Sequence, residues 1–409
     1  MLTRIVKCTI VLAIPAFLMA QPALDSLRQS NSRALHLRYA ASTDEFGLDV
    51  FKRLAGKESA QNVFVSPASI FFCLAMVNEG SAGTTLDSIR KTLQLQNFSD
   101  EEIREANLEV MRLLSAPDTS VDISIANSLW MNAHFSIQPD YVDQCRRFYL
   151  AETFVRDFRR PGTLDELNGW VSDKTNKRIG GILDHLDASE VVVLVNAIYF
   201  HGKWSIPFDS TKTSDKPFFV TTGTEKTYPR MWQRGSFAYD ENSDYQAVRI
   251  PYGPRFSMCI FLPRDRTGLR KMLLGFDNSS WSKRRSRLHQ LPGVIELPRF
   301  KLEYSTLLAQ VLGSMGMGIA FTGGADFSRM TQNPAYISDV VHKTFLEVNE
   351  KGTTAAAATA TRMGLGQALQ MPSHPFSMII NHPFLCIIDE DATGLILFVG
   401  AINDPTPGE

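Results

Sequence analysis

Glu350-Lys-Gly-Thr-Thr-Ala-Ala-Ala-Ala-Thr-Ala-Thr361 is the stretch whose reading decides the fold. Lys343 to Asn349 (K-T-F-L-E-V-N) read as a β-run, which Gly352 breaks. The residues from Thr353 to Thr361 are all Ala or Thr, without charge or bulk. Four consecutive Ala favour helix, but the β-branched Thr residues and the adjacent Gly weaken that tendency. Such a segment brings little apolar area to a core. It is well made for sliding into a packed place, because Ala loses no rotamer entropy and desolvates no polar side-chain group. On this stretch alone two readings stay open: a low-complexity surface loop, or a segment that must enter a sheet.

The composition narrows the class. At 409 residues, 44% hydrophobic and 21% charged, the chain is globular, with one large or two ordinary domains. A net charge of −1 gives no bulk attraction to nucleic acid or acidic membranes. Met1 to Ala20 has a secretory shape: Arg4 and Lys7, an apolar run from Thr9 to Leu18, then the small-residue site Leu18-Met-Ala20. The run is short for a membrane span, so export is expected. Cys73, Cys259 and Cys386 lie in apolar runs, where a free thiol behaves as a small hydrophobe, and no cysteine spacing suggests a metal or a disulfide framework. Gly-x-Ser-x-Gly, His-Glu-x-x-His, phosphate-loop and dinucleotide patterns are missing from the sequence, so neither an enzyme nor a cofactor is expected.

Along the chain, residues 21–40 are polar and read as a leader or flexible arm. A helix is predicted over Thr43 to Leu54. Asn62-Val-Phe-Val-Ser-Pro-Ala-Ser-Ile70 reads as a short strand and a helix start, with Ser66 as N-cap and Pro67 at the first helical position. Ser99-Asp-Glu-Glu102 caps another helix. Val121 to Met131 and Ala151 to Phe158 read as strands, Thr163 to Ile179 as a helix, and Val191 to Phe200 as a strand covered on both faces. Strands are then expected at 218–221, 237–239, 246–251, 257–262 and 293–302, with a helix at 305–315. Two apolar strands, Pro383 to Asp389 and Gly394 to Ile402, end the chain. Helices lead, strands follow, and no linker or repeat intervenes. That pattern favours one mixed α+β domain.

In that order the chain resembles the serpins, a family of serine protease inhibitors, across nearly all of the sequence after the leader. The motifs that carry the resemblance are N-V-F-V-S-P-A-S-I at 62–70, L-V-N-A-I-Y-F-H-G-K-W at 194–204, V-H-K at 341–343, the E-K-G-T-T-A-A-A-A-T hinge, and N-H-P-F-L with F-V-G-A-I-N-D-P near the C-terminus. The resemblance implies an α+β fold of three β-sheets and eight or nine helices. A leader over 1–20, a flexible segment over 21–40 and a single domain over 41–409 are expected, with an exposed reactive-centre loop at about 350–380. It also implies a suicide substrate: a serine protease cuts the loop, forms an acyl-enzyme, and is trapped as the loop inserts into the large sheet.

The implied site residues follow. The hinge is Glu350, Gly352, Thr353, Thr354, Ala355, Ala356, Ala357, Ala358 and Thr359. Thr354 departs from the pattern, since many relatives carry Glu there, but Thr is small and uncharged. Ser66, Ser69, Asn196 and His342 fall where similar proteins build a buried cluster behind the large sheet. Trp204 falls where the loop first enters, and Glu350 and Arg299 fall at positions that pair in relatives. By the family's count the cleaved bond is Gly366-Gln367, which suits an elastase-like protease. A register one residue shorter gives Leu365-Gly366 and suits a chymotrypsin-like one. A covalent complex with the protease, a monomeric state, and no nucleic acid, membrane, metal or glycosaminoglycan partner are expected. The one basic cluster, Lys283-Arg-Arg-Ser-Arg287, reads as solvated surface. The competing reading is a serpin that no longer inhibits and serves as carrier, chaperone or storage protein.

Overall fold

Helix α1 (Phe17–Lys57) begins far ahead of the predicted Thr43 and takes in residues 21–40, expected as a flexible arm. The structure, a computed structural model, describes residues 17–57, 60–221, 223–353 and 375–406, with side chains from residue 32 onward. Tyr39 and Ala40 are already buried, so α1 belongs to the body from that point. Strand β1 (Val63–Val65) leads into α2 (Pro67–Gly80), capped as predicted: Ser66 Oγ accepts the Ser69 amide. Every residue of α2 is buried, consistent with a helix apolar nearly all round. Helices α3 (Gly83–Thr92) and α4 (Asp100–Leu114) follow, α4 opened by a reciprocal box between Ser99 and Glu102.

Then come β2 (Val121–Asn132), α5 (Pro139–Phe148), β3 (Glu152–Arg156), α6 (Gly162–Lys174) and β4 (Val192–Gly202). Helix α5 was not expected, because only Tyr141 and Cys145 of it are buried, too thin a stripe to read. Next are β5 (Ser214–Phe219), β6 (Glu225–Glu241), β7 (Tyr245–Tyr252), β8 (Phe256–Pro263), α7 (Leu269–Leu274), α8 (Asn278–Arg287), β9 (His289–Pro298) and β10 (Phe300–Leu307). The strand expected over 293–302 is thus two strands of different sheets, parted at Arg299. The helix expected from Ser305 starts late, as α9 (Ala309–Leu312), because Ser305 to Leu307 still pair with Val341 to Lys343. The chain closes with β11 (Val341–Asn349), β12 (Gly352–Thr353), β13 (Phe376–Ile379), β14 (Phe384–Glu390) and β15 (Ile396–Ile402).

Among the described residues, nine α-helices and three sheets make a mixed α+β fold, as expected. The nine-stranded sheet runs β1-β15-β14-β8-β7-β6-β9-β13, with β5 on β6. The other two have three strands each, β3-β2-β4 and β10-β11-β12. They expose facing edges. Among the described residues, β4 pairs with β2 alone along its ladder, while β11 pairs with β10 and the two-residue β12. Beneath α6, Val193, Val195 and Ala197 of β4 share an apolar cluster with Val341 and Phe345 of β11 and with Trp130, Leu167 and Val171. The two three-stranded sheets therefore lie side by side as two halves, with a slot between β4 and β11 among the described residues. No helix of the described residues is long and apolar enough to cross a membrane.

Candidate functional site: the slot and its mouth

The floor of the slot is polar, and the first turn of α2 builds it. A helix N-terminus leaves amides free, and that of Ser66, just outside, donates to His342 Nε2 on β11 at 3.1 Å. Ser69, one turn on, donates its hydroxyl to Asn196 Oδ1 on β4. Asn196 Nδ2 donates to Asn127 Oδ1 on β2 at 2.6 Å, and Asn127 passes a bond to the Tyr149 carbonyl at 2.6 Å. Ser66, Ser69, Asn196 and His342 are thus brought together, and their chain of bonds ties one sheet half to the other through α2. Asn127 was not singled out in the sequence, although it faces Asn196 in the β2–β4 register. Burial pushes the His342 imidazole down to about 3, so it is neutral and its Nε2 can accept. Thr344 of β11 adds a bond to the Phe64 carbonyl at 2.6 Å.

At the mouth, the chain leaves β11 and doubles back. Glu350 and Lys351 form a two-residue turn, after which Gly352 and Thr353 pair with Asn349 and Val348. Gly352 also bridges to Lys203 at the end of β4. Its φ is +144°, and a Cβ there would lie 2.0 Å from the Gly202 carbonyl oxygen, so only Gly fits. The segment after β4 holds the turn by its carbonyls. Trp204 Nε1 donates to Asn349 O at 2.8 Å, the Trp204 amide to Lys351 O at 3.1 Å, and the Phe208 amide to Glu350 O at 2.8 Å. Trp204 thus stands against the turn that follows β11. The first two residues after the turn already lie inside the slot.

Glu350 and Arg299 form an ion pair, with Glu350 only 7% exposed and Arg299 at the edge of solvent. Thr213 Oγ1 adds a second bond to the carboxylate at 2.6 Å. Burial pushes this carboxyl up, and the bonds from Arg299 and Thr213 outweigh it, leaving it below its ordinary value. Arg299 reaches this place because it is the residue that parts β9 from β10.

The remaining expectations divide. Of the residues expected as a hinge, Glu350, Gly352 and Thr353 are described, in the turn after β11 and in β12. Thr354, Ala355, Ala356, Ala357, Ala358, Thr359, Leu365, Gly366 and Gln367 lie outside the described residues. The basic cluster on α8 stays largely at the surface: Lys283 and Arg287 are exposed, and Arg284 and Arg285 are half-buried. Arg284 lies over the Tyr245 ring, Arg285 pairs with Asp389, and Arg287 pairs with Asp240. Cys73, Cys145, Cys259 and Cys386 are buried free thiols, and burial raises the first three to about 12.

A family model described as "Serpin (serine protease inhibitor)" matches residues 41–405. An uncharacterized serpin-like protein of Thermococcus kodakarensis is 35% identical, with 89% of this chain and 85% of that protein covered. A Xenopus laevis protein named leukocyte elastase inhibitor is 33% identical, over 90% of this chain and 99% of its own. The crystal structure of human thyroxine-binding globulin has a TM-score of 0.81 at 24% identity, covering 91% of this chain and 100% of that one. That last likeness concerns the fold alone.

Proposed function

The chain belongs to the serpin family, and from that premise we propose that it inhibits serine endopeptidases as a suicide substrate. The observation that carries this reading is the pair of edges on β4 and β11 that no strand joins among the described residues, with Gly352 and Thr353 already turned into the gap between them. The Ala- and Thr-only sequence that follows suits a strand between two edges, since nothing in it is bulky or charged.

In this reading the serine of the target protease attacks the carbonyl of Gly366, or of Leu365 in the shorter register. An ester to the enzyme forms as the peptide bond breaks; the new amine departs from the acyl carbon, while the segment that carries it stays anchored in the nine-stranded sheet through β13, β14 and β15. The freed hinge then fills the slot as a strand. About ten new backbone hydrogen bonds at roughly 1 kcal/mol each supply on the order of 10 kcal/mol, enough to drag and distort the acylated protease before water releases it. The target is elastase-like or chymotrypsin-like, and the relative named leukocyte elastase inhibitor supports the first choice. The protein is exported by its leader, acts as a monomer and is not an enzyme. No glycosaminoglycan is needed in this reading, since the arginines of α8 already have partners in Tyr245, Asp389 and Asp240.

The test uses the mature protein with elastase-, chymotrypsin- and trypsin-like proteases. A denaturant-resistant complex is expected, together with a released peptide whose mass starts at Gln367 or Gly366. Clean cleavage without a complex from all three would overturn the inhibitory reading in favour of a carrier, chaperone or storage role. In an inhibitory wild type, Ala357→Arg should convert the protein into an ordinary substrate, because the entering strand would have to bury a guanidinium. A variant that still trapped protease would refute strand insertion at that position.

A further inference from the structure

Tyr252, at the end of β7 in the nine-stranded sheet, reaches across to the mouth of the slot. Its hydroxyl lies 2.8 Å from Thr353 Oγ1, and both residues are fully buried. The ring is clamped by Trp204, stacked at 4.2 Å and 13°, and by Phe200 edge-on at 5.2 Å. Gly202 leaves the space for it, since a Cβ there would meet the Tyr252 ring at 2.7 Å. A buried hydroxyl demands a partner, and Thr353 is the partner of this one. If the hinge withdrew from the slot, Tyr252 would keep its place among the aromatics and its hydroxyl would be left buried without Thr353.

We propose that Tyr252 is a positioning residue for the hinge, holding Thr353 docked in the slot before the loop is cut. The proposal rests on the inhibitory reading. With the first two loop residues already seated between β4 and β11, insertion after acylation has only to propagate. Without the bond it must first seat the hinge, and the acyl-enzyme has longer to hydrolyse.

Tyr252→Phe tests this because it removes the oxygen and keeps the ring and its stacking. In the intact, uncut protein, amide exchange of the peptide covering residues 345–353 should rise about tenfold, the effect of one lost hydrogen bond. Thr353→Val removes the same bond from the other side and should match it, and the double variant should add nothing. Thr353→Ser keeps the oxygen and should exchange like the wild type. With an elastase-like protease, the ratio of cut inhibitor to trapped complex should rise by up to about tenfold in both single variants. Unchanged exchange in Tyr252→Phe would overturn the docking, and raised exchange with an unchanged ratio would overturn its role in trapping. If the wild type traps no protease, the inhibitory reading and with it the role in trapping are overturned, while exchange still decides whether Tyr252 docks the hinge.

Discussion

β14, β15 and β8 are buried at every residue, and each has a hydrogen-bonded neighbour on both sides. β11 is buried only at alternate residues, and two of its four inward side chains, His342 and Thr344, are polar. The first region is finished: its edges are paired and its side chains apolar. The second keeps an open edge opposite another and is held together from beneath by side-chain hydrogen bonds. Edges of that kind invite any strand that fits. A protein can keep one only if the fit is specific, and here a short turn at Glu350-Lys351 directs the chain's own hinge into it. The polar floor suits that purpose, since hydrogen bonds can be exchanged for others, whereas an apolar interface of equal strength would have to be opened to water.

The contrast can be broken experimentally, beginning with the finished sheet. Phe398 stacks on Phe64 at 5.3 Å and meets Phe200 edge-on. Phe398→Ala should lower unfolding stability by about 4 kcal/mol in urea, the cost of a large buried cavity. A loss below about 1 kcal/mol would show that this region is no more rigid than the slot.

Asn196→Ala should cost less, about 2 kcal/mol, by leaving Asn127 and Ser69 without their partner. It should also promote polymers on mild heating, seen on native gels, because the tie between the sheet halves is cut. Unchanged polymerisation would mean that the cluster does not guard the slot.

His342 makes the floor sensitive to acid. Its folded value is depressed to about 3, so the unfolded chain takes up a proton near pH 6.5 while the native imidazole stays neutral. Stability at the floor is therefore complete above about pH 6.5 and falls as pH drops toward 3, by about 1.4 kcal/mol per pH unit. His342→Gln should flatten the urea midpoint against pH across that window. An unchanged slope would remove His342 from the account.

Arg299→Ala should have the smallest effect, about 1 kcal/mol, since Arg299 is partly exposed and Thr213 still holds Glu350. A double-mutant cycle with Glu350→Gln measures the pair directly, and zero coupling would dismiss it.

Much of this was legible in the residues. Ser66-Pro67 announced the start of α2, and the motifs around Asn196 and His342 named residues that the fold brings together. Tyr252 was not legible, because a tyrosine ending an apolar strand gives no sign of which hydroxyl it will meet across 101 positions. Nor was the burial of Glu350, which depends on where Arg299 and Thr213 arrive.

The sequence by itself determined what is local: caps, strand periodicity, a glycine that alone can turn under Gly202, and nine residues too small to obstruct a sheet. Only the tertiary structure decided that β4 and β11 face each other without a strand between them among the described residues, that Thr353 is already seated beside them, and that the arginines of α8 find partners in Tyr245, Asp389 and Asp240. The physical reason is that these depend on partners 50 to 280 residues apart in the chain, such as Arg299 with Glu350 and Ser66 with His342. Such meetings are fixed by packing the whole domain, and no local pattern encodes them.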